Sequence, residues 1–255
     1  MSTTAAFFDL DGTLIPGSAN IPLAKAAFRH GFVTPADLAK DLRNGVSFLL
    51  KGATDERSAE VRDRILRAVS GHPAAKVEAL GPYFIDDLVA SIRPQMQQVL
   101  DQHGDLGHDR VVISASPTEI VSRLAHTAGL EHGIGTTAAR DGQDVYTGEL
   151  EGPFCYGEGK VAVMQAIALE QGYDLAACYA YSDSASDLPM LEAVGFPVAV
   201  SMSSSTPSNR PRASCFPSGR RAIDRIVSGR RGKTRVSVRV FASHAFTTRS
   251  SPTGR

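Results

Sequence analysis

Residues 7–14 read FFDLDGTL: an apolar run broken by two carboxylates, Asp9 and Asp11, and closed by Gly12 and Thr13. Starting three residues earlier, TAAFF (4–8) is apolar enough for a short strand buried on both faces, as in a parallel sheet. Charges at the end of a buried strand are costly unless something pairs with them. Side chains two apart on a strand face the same way, so Asp9 and Asp11 point into one crevice where extended geometry persists. In an open α/β sheet that crevice, beyond the carboxyl ends of the strands, is where ligands bind.

The pattern downstream supports such a sheet. RVVIS (110–114) and AACYAY (176–181) read as buried strands, and PVAV (197–200) as a last one. Helical stretches lie between them: one from Ser116-Pro117-Thr118-Glu119, which has the form of a capping box, one opened by Lys160, and DLPMLEAVG, stopped by Gly195. DGQDVYTGEL (141–150) reads as a short β excursion between turn residues. Alternating strands and helices imply right-handed crossovers and a sheet covered on both faces. From about 20 to 103 the texture is helical: IPLAKAAFRHGF, TPADLAKDLRNGVSFLL with Thr34-Pro35 as N-cap and first turn, TDERSAEVRDRILRAV, and GPYFIDDLVASIRPQMQQVLDQHG. This block interrupts the alternation and reads as an inserted cap. The expected organisation is a Rossmann-like, doubly wound α/β core from 1–16 and 104–200, a helical cap at 17–103, and a tail at 201–255.

That tail is set apart by charge. Residues 201–255 carry 11 Arg and one Lys against Asp224, about +11, leaving residues 1–200 at about −11 within a formal net charge of zero. Rich in Ser, Arg and Pro, the stretch buries too little apolar surface to offset ordering entropy, so it is expected to be mostly disordered, with AIDRIV a brief helix. Three readings of it stand open: a nucleic-acid tail, since Arg releases counterions from phosphates; a flexible extension; or the product of a frame change in an Arg-rich coding sequence. No apolar run reaches the roughly 18 residues of a membrane span, and the first positive side chain, Lys25, is too late for a signal peptide. Three cysteines, Cys155, Cys178 and Cys215, with no C-x-x-C spacing fit a reducing, cytoplasmic setting; Cys178 reads as a small core residue.

Two carboxylates at one strand end repel each other and favour a hard divalent cation such as Mg²⁺; Asp183, after another strand, supplies a third oxygen donor. Around such a site the residues fit nucleophilic phosphoryl transfer. A carboxylate forms an aspartyl phosphate, a second Asp serves as acid and base, and Ser114 and Lys160 hold the phosphoryl oxygens. An EF-hand fails, because Gly12 comes fourth and Asn20 stands where the twelfth-position Glu belongs. A P-loop fails, because Phe154 replaces the first glycine and Val161 follows Lys160. His103, His108, His126 and His132 lack a zinc spacing and read as surface or helix-end residues. Lys160 near a helix start opposes the dipole, which favours a functional reading.

The set Asp9-Leu10-Asp11-Gly12-Thr13, VVISAS, Lys160 and YSDSASDLPML, in that order, resembles the haloacid dehalogenase superfamily of phosphohydrolases over residues 4–200. The resemblance implies Asp9 as nucleophile, Asp11 as acid/base, and Ser114 and Lys160 as phosphate-binding residues. It implies Mg²⁺ held by Asp9, Asp11 and Asp183, with Asp187 behind them and a small phosphorylated metabolite as substrate. The insertion between first and second motifs resembles the C1 cap of subfamily IB, which includes phosphoserine phosphatases and bacterial proteins of morphological differentiation. Where phosphoserine phosphatases carry a cap-entrance Glu and a pair of glycines, this chain has Ser18 and Ala115-Ser116, so phosphoserine is not the expected substrate. The alternative is a regulatory protein on the same fold, with nucleic acid bound through the basic tail.

Overall fold

A computed structural model describes residues 4–31, 62–63, 66–67, 69–204, 222–223 and 234–241. The strand before the paired acids is β1, Ala5–Phe8, with all four residues fully buried. It lies between two parallel neighbours, β2 (Asp109–Pro117) and β6 (Tyr179–Ser182). Next to β2 runs β3 (His132–Thr136), and next to β6 runs β7 (Phe196–Ser204), both parallel. The excursion at 138–150 is an antiparallel pair, β4 (Ala138–Arg140) and β5 (Tyr146–Leu150).

The sheet order is β3-β2-β1-β6-β7, followed by β9 (Thr234–Phe241) and β8 (Ala222–Ile223) at the edge, so the chain leaves β1 first to one side and later to the other. The crevice at that reversal is where α/β sheets bind ligands. Strand β9 runs antiparallel to β7 from Val198–Val240 to Ser204–Thr234. The last strand therefore runs four residues past Val200, and the stretch expected as a disordered tail supplies two strands. TRVSVRVF alternates Val with Arg or Ser, a two-residue period that suits a strand. Ala222 and Ile223 are strand where AIDRIV is expected to be helical. Residues 205–221, 224–233 and 242–255 lie outside the described residues.

The helices are α1 (Asn20–Arg29), α2 (Ala74–Glu78), α3 (Ile85–Ala90), α4 (Pro94–Asp105), α5 (Thr118–Thr127), α6 (Glu158–Gln171) and α7 (Leu188–Glu192). Strand alternation divides the core into two. Ala6, Phe8, Val112 and Tyr181 face Leu88, Met96, Leu100, Val121 and Leu124 from α3, α4 and α5. Ala5, Phe7, Val111, Cys178 and Ala180 face Met164, Ile167, Met190 and Leu191 from α6 and α7. Each buried Phe contributes about 1.5–3 kcal/mol. Of the block expected as cap, α3 and α4 lie against this sheet. The helices expected over 34–50 and 54–69, with the Thr34-Pro35 cap and candidate cap residues Arg43, Phe48 and Arg57, fall wholly or largely outside the described residues.

Two local expectations change. GPYF…QHG is one periodic stretch in sequence but three elements in the fold: a 3₁₀ turn at Gly81–Tyr83, then α3, then α4. Pro94 holds Arg93 extended (φ −60°, ψ 131°) and separates the last two. The capping box at Ser116–Glu119 does not form. Strand β2 runs through Pro117, which caps α5 without a side-chain bond, and Glu119 accepts from Tyr146 Oη at 2.7 Å and Arg140 Nη2 at 2.9 Å.

Candidate active site

Asp9 follows β1 directly. Its N–H donates to the Tyr181 carbonyl at 2.9 Å, so the β1–β6 ladder continues into the site. The chain then turns at Gly12, with φ +88°. Gly12 N–H donates to Ile15 O and Ile15 N–H to Leu10 O, both at 3.1 Å, which folds Thr13 back beneath Asp9. The buried Thr13 hydroxyl lies 3.0 Å from Asp9 Oδ2 and 2.8 Å from Asp183 Oδ1, and accepts the Asp183 N–H at 3.0 Å. One hydroxyl proton thus faces two carboxylates from different strands. A Cβ at position 12 would sit 2.6 Å from Asp183 Oδ2, so only glycine admits that carboxylate and the left-handed turn together.

Lys160 is the third residue of α6 and is 2% exposed, not the solvated helix start its position suggests. Its Nζ donates to Asp9 Oδ1 at 2.6 Å and to Asp187 Oδ2 at 2.7 Å. Asp187 Oδ2 also accepts the Ser182 hydroxyl at 2.7 Å. The ammonium is satisfied twice over, and its pKa is raised; burial opposes that rise, and the two carboxylates outweigh it. Asp9 moves up as well, to about 7: burial dominates, Lys160 opposes, and Asp187 and Asp11 add to the rise. Burial is the first cause of the rise at Asp9, and the neighbouring carboxylates add to it. A single cation shared by two buried carboxylates leaves surplus negative charge, and Asp9 carries it.

Asp11 is held on other donors. Its Oδ1 accepts the Ala19 N–H at 2.8 Å, and its Oδ2 accepts Ser18 Oγ at 2.9 Å and Ser116 Oγ at 3.4 Å. Burial pushes its carboxyl up against those hydrogen bonds. Ser114 is buried in β2, two residues beyond Val112, the register partner of Phe8, so it stands level with the chain just past β1. Its Oγ accepts the Ser116 N–H at 3.1 Å, which leaves its own proton to give.

The carboxyl ends of β1, β2 and β6 and the start of α6 thus carry Asp9, Asp11, Ser114, Asp183, Asp187 and Lys160. Asp9, Lys160 and Asp187 form one bonded group, and Thr13 ties Asp183 to it. The Asp11 carboxylate sits apart, and among the described residues no three His, Cys, Asp or Glu side chains are gathered as a metal ligand set. Thr13, Ser182 and Arg93 are additions to the sequence reading. Arg93 Nη2 donates to Gly12 O at 3.2 Å and its N–H to Leu14 O at 2.9 Å, bracing the turn. Thr13 stands beside the acids in sequence, but its reach to Asp183 depends on the Gly12 turn; Ser182 and Arg93 carry no local signal. The histidine reading changes too: His103 ends α4 but is buried, its rings' nitrogens meeting His108 Nδ1 at 2.9 Å and Tyr181 Oη at 2.8 Å.

Known proteins share this architecture. A probable phosphatase of Mycobacterium tuberculosis is 38% identical over 194 residues, 75% of this chain and 67% of its own. The inhibition of morphological differentiation protein of Streptomyces azureus is 32% identical, over 77% of this chain and 71% of its own. A crystal structure of a Bordetella pertussis protein of unknown function superposes with a TM-score of 0.63 at 26% identity, covering 77% of this chain and 89% of that one. Residues 6–192 match the haloacid dehalogenase-like hydrolase family, across every element that carries the site. The chain belongs to the haloacid dehalogenase-like hydrolase family.

Proposed function

We propose that the protein is a phosphatase that hydrolyses a small phosphorylated metabolite through an aspartyl phosphate at Asp9. The observation that carries this reading is the buried Asp9 carboxylate at the β1 end, anchored through Oδ1 to Lys160 at 2.6 Å. A nucleophile must be fixed in direction, and Lys160 fixes Asp9 while favouring its anionic form against burial. Asp9 attacks phosphorus, and the bond from phosphorus to the ester oxygen breaks. The Asp11 carboxyl, whose hold on a proton is strengthened by burial, serves as the acid that protonates the leaving oxygen. Asp11, now a carboxylate, takes a proton from water as the water oxygen bonds phosphorus. The Asp9–phosphorus bond breaks and phosphate leaves. Ser114 and Lys160 donate to phosphoryl oxygens, where charge builds in the transition state.

The donor set fits a divalent cation such as Mg²⁺. Asp9 and Asp183 converge on one hydroxyl, Gly12 leaves room for Asp183, and the buried carboxylates outnumber Lys160. Asp9 and Asp183 would hold it by their carboxylates. When bound, the cation neutralises the carboxylates and the phosphoryl oxygens. Phosphatase-named relatives support the substrate class. Cys155 and Cys178 are free and buried, which supports a reducing, cytoplasmic setting. No helix among the described residues is long and apolar enough to cross a membrane.

The test is release of inorganic phosphate from a panel of phosphorylated metabolites with Mg²⁺, beside Asp9→Asn and an EDTA-treated sample. Hydrolysis by the parent alone supports the reading. Equal turnover by Asp9→Asn overturns the nucleophile. No phosphate from any ester turns attention to the regulatory alternative and to nucleic-acid binding by the Arg-rich residues 201–255.

A further inference from the structure

We propose that Ser18 and Ser116 are positioning residues, together fixing the direction of the Asp11 carboxyl for its work as acid and base. The inference depends on the phosphatase reading and adds a role for two hydroxyls which that reading leaves unused. Their placement is specific. Ser18 lies in the loop before α1 and Ser116 near the end of β2, 98 positions later in the chain, yet both reach the same oxygen, Oδ2, at 2.9 and 3.4 Å. The main chain anchors each. Ser18 Oγ also accepts the Asn20 N–H at 3.3 Å, and the Ser116 N–H is tied to Ser114 Oγ at 3.1 Å.

A carboxylate oxygen accepts about two hydrogen bonds. The two hydroxyls fill Oδ2. The Ala19 N–H at 2.8 Å takes one position on Oδ1 and leaves the other. Oδ1 is the oxygen left open toward the ester oxygen, and Asp11 delivers its acid proton on that side. As the phosphorus–oxygen bond breaks, that proton passes to the ester oxygen, and the charge left on Asp11 is met by donors already in place. In the second step, Asp11 takes a proton back from water while the Asp9–phosphorus bond breaks. No rearrangement of Asp11 is needed between the two steps.

Leaving-group dependence tests this. An alkyl phosphate expels a poor leaving oxygen and needs the proton; a nitrophenyl phosphate expels a good one and needs it far less. General-acid assistance is worth roughly 10²–10⁴-fold, and misaiming it forfeits part of that. We expect Ser18→Ala to lower the ratio of alkyl-ester to nitrophenyl-ester kcat/KM by about tenfold or more. Ser116→Ala, at the longer distance, should lower it less, and Ser18→Thr, which keeps the hydroxyl, should restore it. Asp11→Asn sets the full loss. An equal fall on both esters, or a ratio that stays at the parent value in both alanine variants, overturns the assignment while the phosphatase reading stands. A parent protein that hydrolyses neither ester overturns both.

Discussion

Lys160→Met tests how the site is held together. The substitution keeps an unbranched side chain as far as Cε but deletes an ammonium 2.6 Å from Asp9 and 2.7 Å from Asp187, carboxylates that are 6% and 2% exposed. Two unit charges about 4 Å apart attract by about 4 kcal/mol at an effective dielectric constant of about 20, and Lys160 makes two such attractions. The variant no longer bears the cost of burying the ammonium, so the net loss is smaller than their sum. Removing one partner of a buried pair costs about 3–5 kcal/mol, out of a total stability of about 5–15 kcal/mol. At about 2–4 °C per kcal/mol, Tm should fall by roughly 6–20 °C. The deficit should depend on pH. Without Lys160 the buried Asp9 carboxyl favours protonation still more, which removes stranded charge, so the loss is largest near about pH 8 and shrinks toward about pH 5. Thermal and urea melts at both pH values, free of divalent cations, measure it. Adding Asp187→Asn to the variant should recover part of the loss by removing one stranded carboxylate. A deficit below about 1 kcal/mol at the higher pH, or one that grows on acidification, would refute the shared-cation account.

A raised Asp9 pKa means that the folded state binds more protons than the unfolded chain between the ordinary value of 3.8 and about 7. Stability from this group is therefore lost as pH rises through that window, and Asp9→Asn should gain on the parent across it. Saturating Mg²⁺ should narrow the gap at the upper end; a gap independent of pH counts against the surplus charge. His103 runs the other way, because burial, with His108 and Arg110 adding, lowers its pKa from 6.5 to about 4. Its contribution is present above 6.5 and lost as pH falls toward 4, so a His103→Gln variant should approach the parent in stability over that range. Gly12→Ala forces a side chain into φ +88° and to 2.6 Å from Asp183 Oδ2, so the Mg²⁺ concentration for half-maximal activity should rise by about 10–100-fold, read by titration.

The parts of the fold legible in the sequence are those fixed by local pattern. AAFF alternates onto two core faces, the end of YAYS carries Asp183 out of β6, and the short hairpin announces itself by turn residues on each side. The capping box misled because Ser116-Pro117-Thr118-Glu119 fits two local geometries, and pairing of β2 with β3 as far as Pro117–Thr136 selects the extended one. Composition hid β9: arginine-rich surroundings mask the period-two valines, and pairing with β7 is a long-range contact. In the site, residue types announced Asp9, Asp11 and Asp183. What no spacing shows is who pairs with whom. Thr13 meets Asp183 across 170 positions, and Lys160 meets Asp9 across 151. Ser18 entered the sequence reading as a departure from a pattern and Ser116 as that and as a helix cap, and folding gives them a common partner in Asp11.

Trapping the covalent intermediate tests the central claim most directly. The parent protein is mixed with a phosphate ester that it turns over, quenched in the pre-steady state, and reduced with borohydride, which converts an aspartyl phosphate to homoserine. Peptide mass analysis should then find homoserine at position 9 and nowhere else, rising and falling with turnover and absent from Asp9→Asn. Rapid turnover with Asp9 unmodified at every quench time, or homoserine at another aspartate, would contradict Asp9 as the nucleophile.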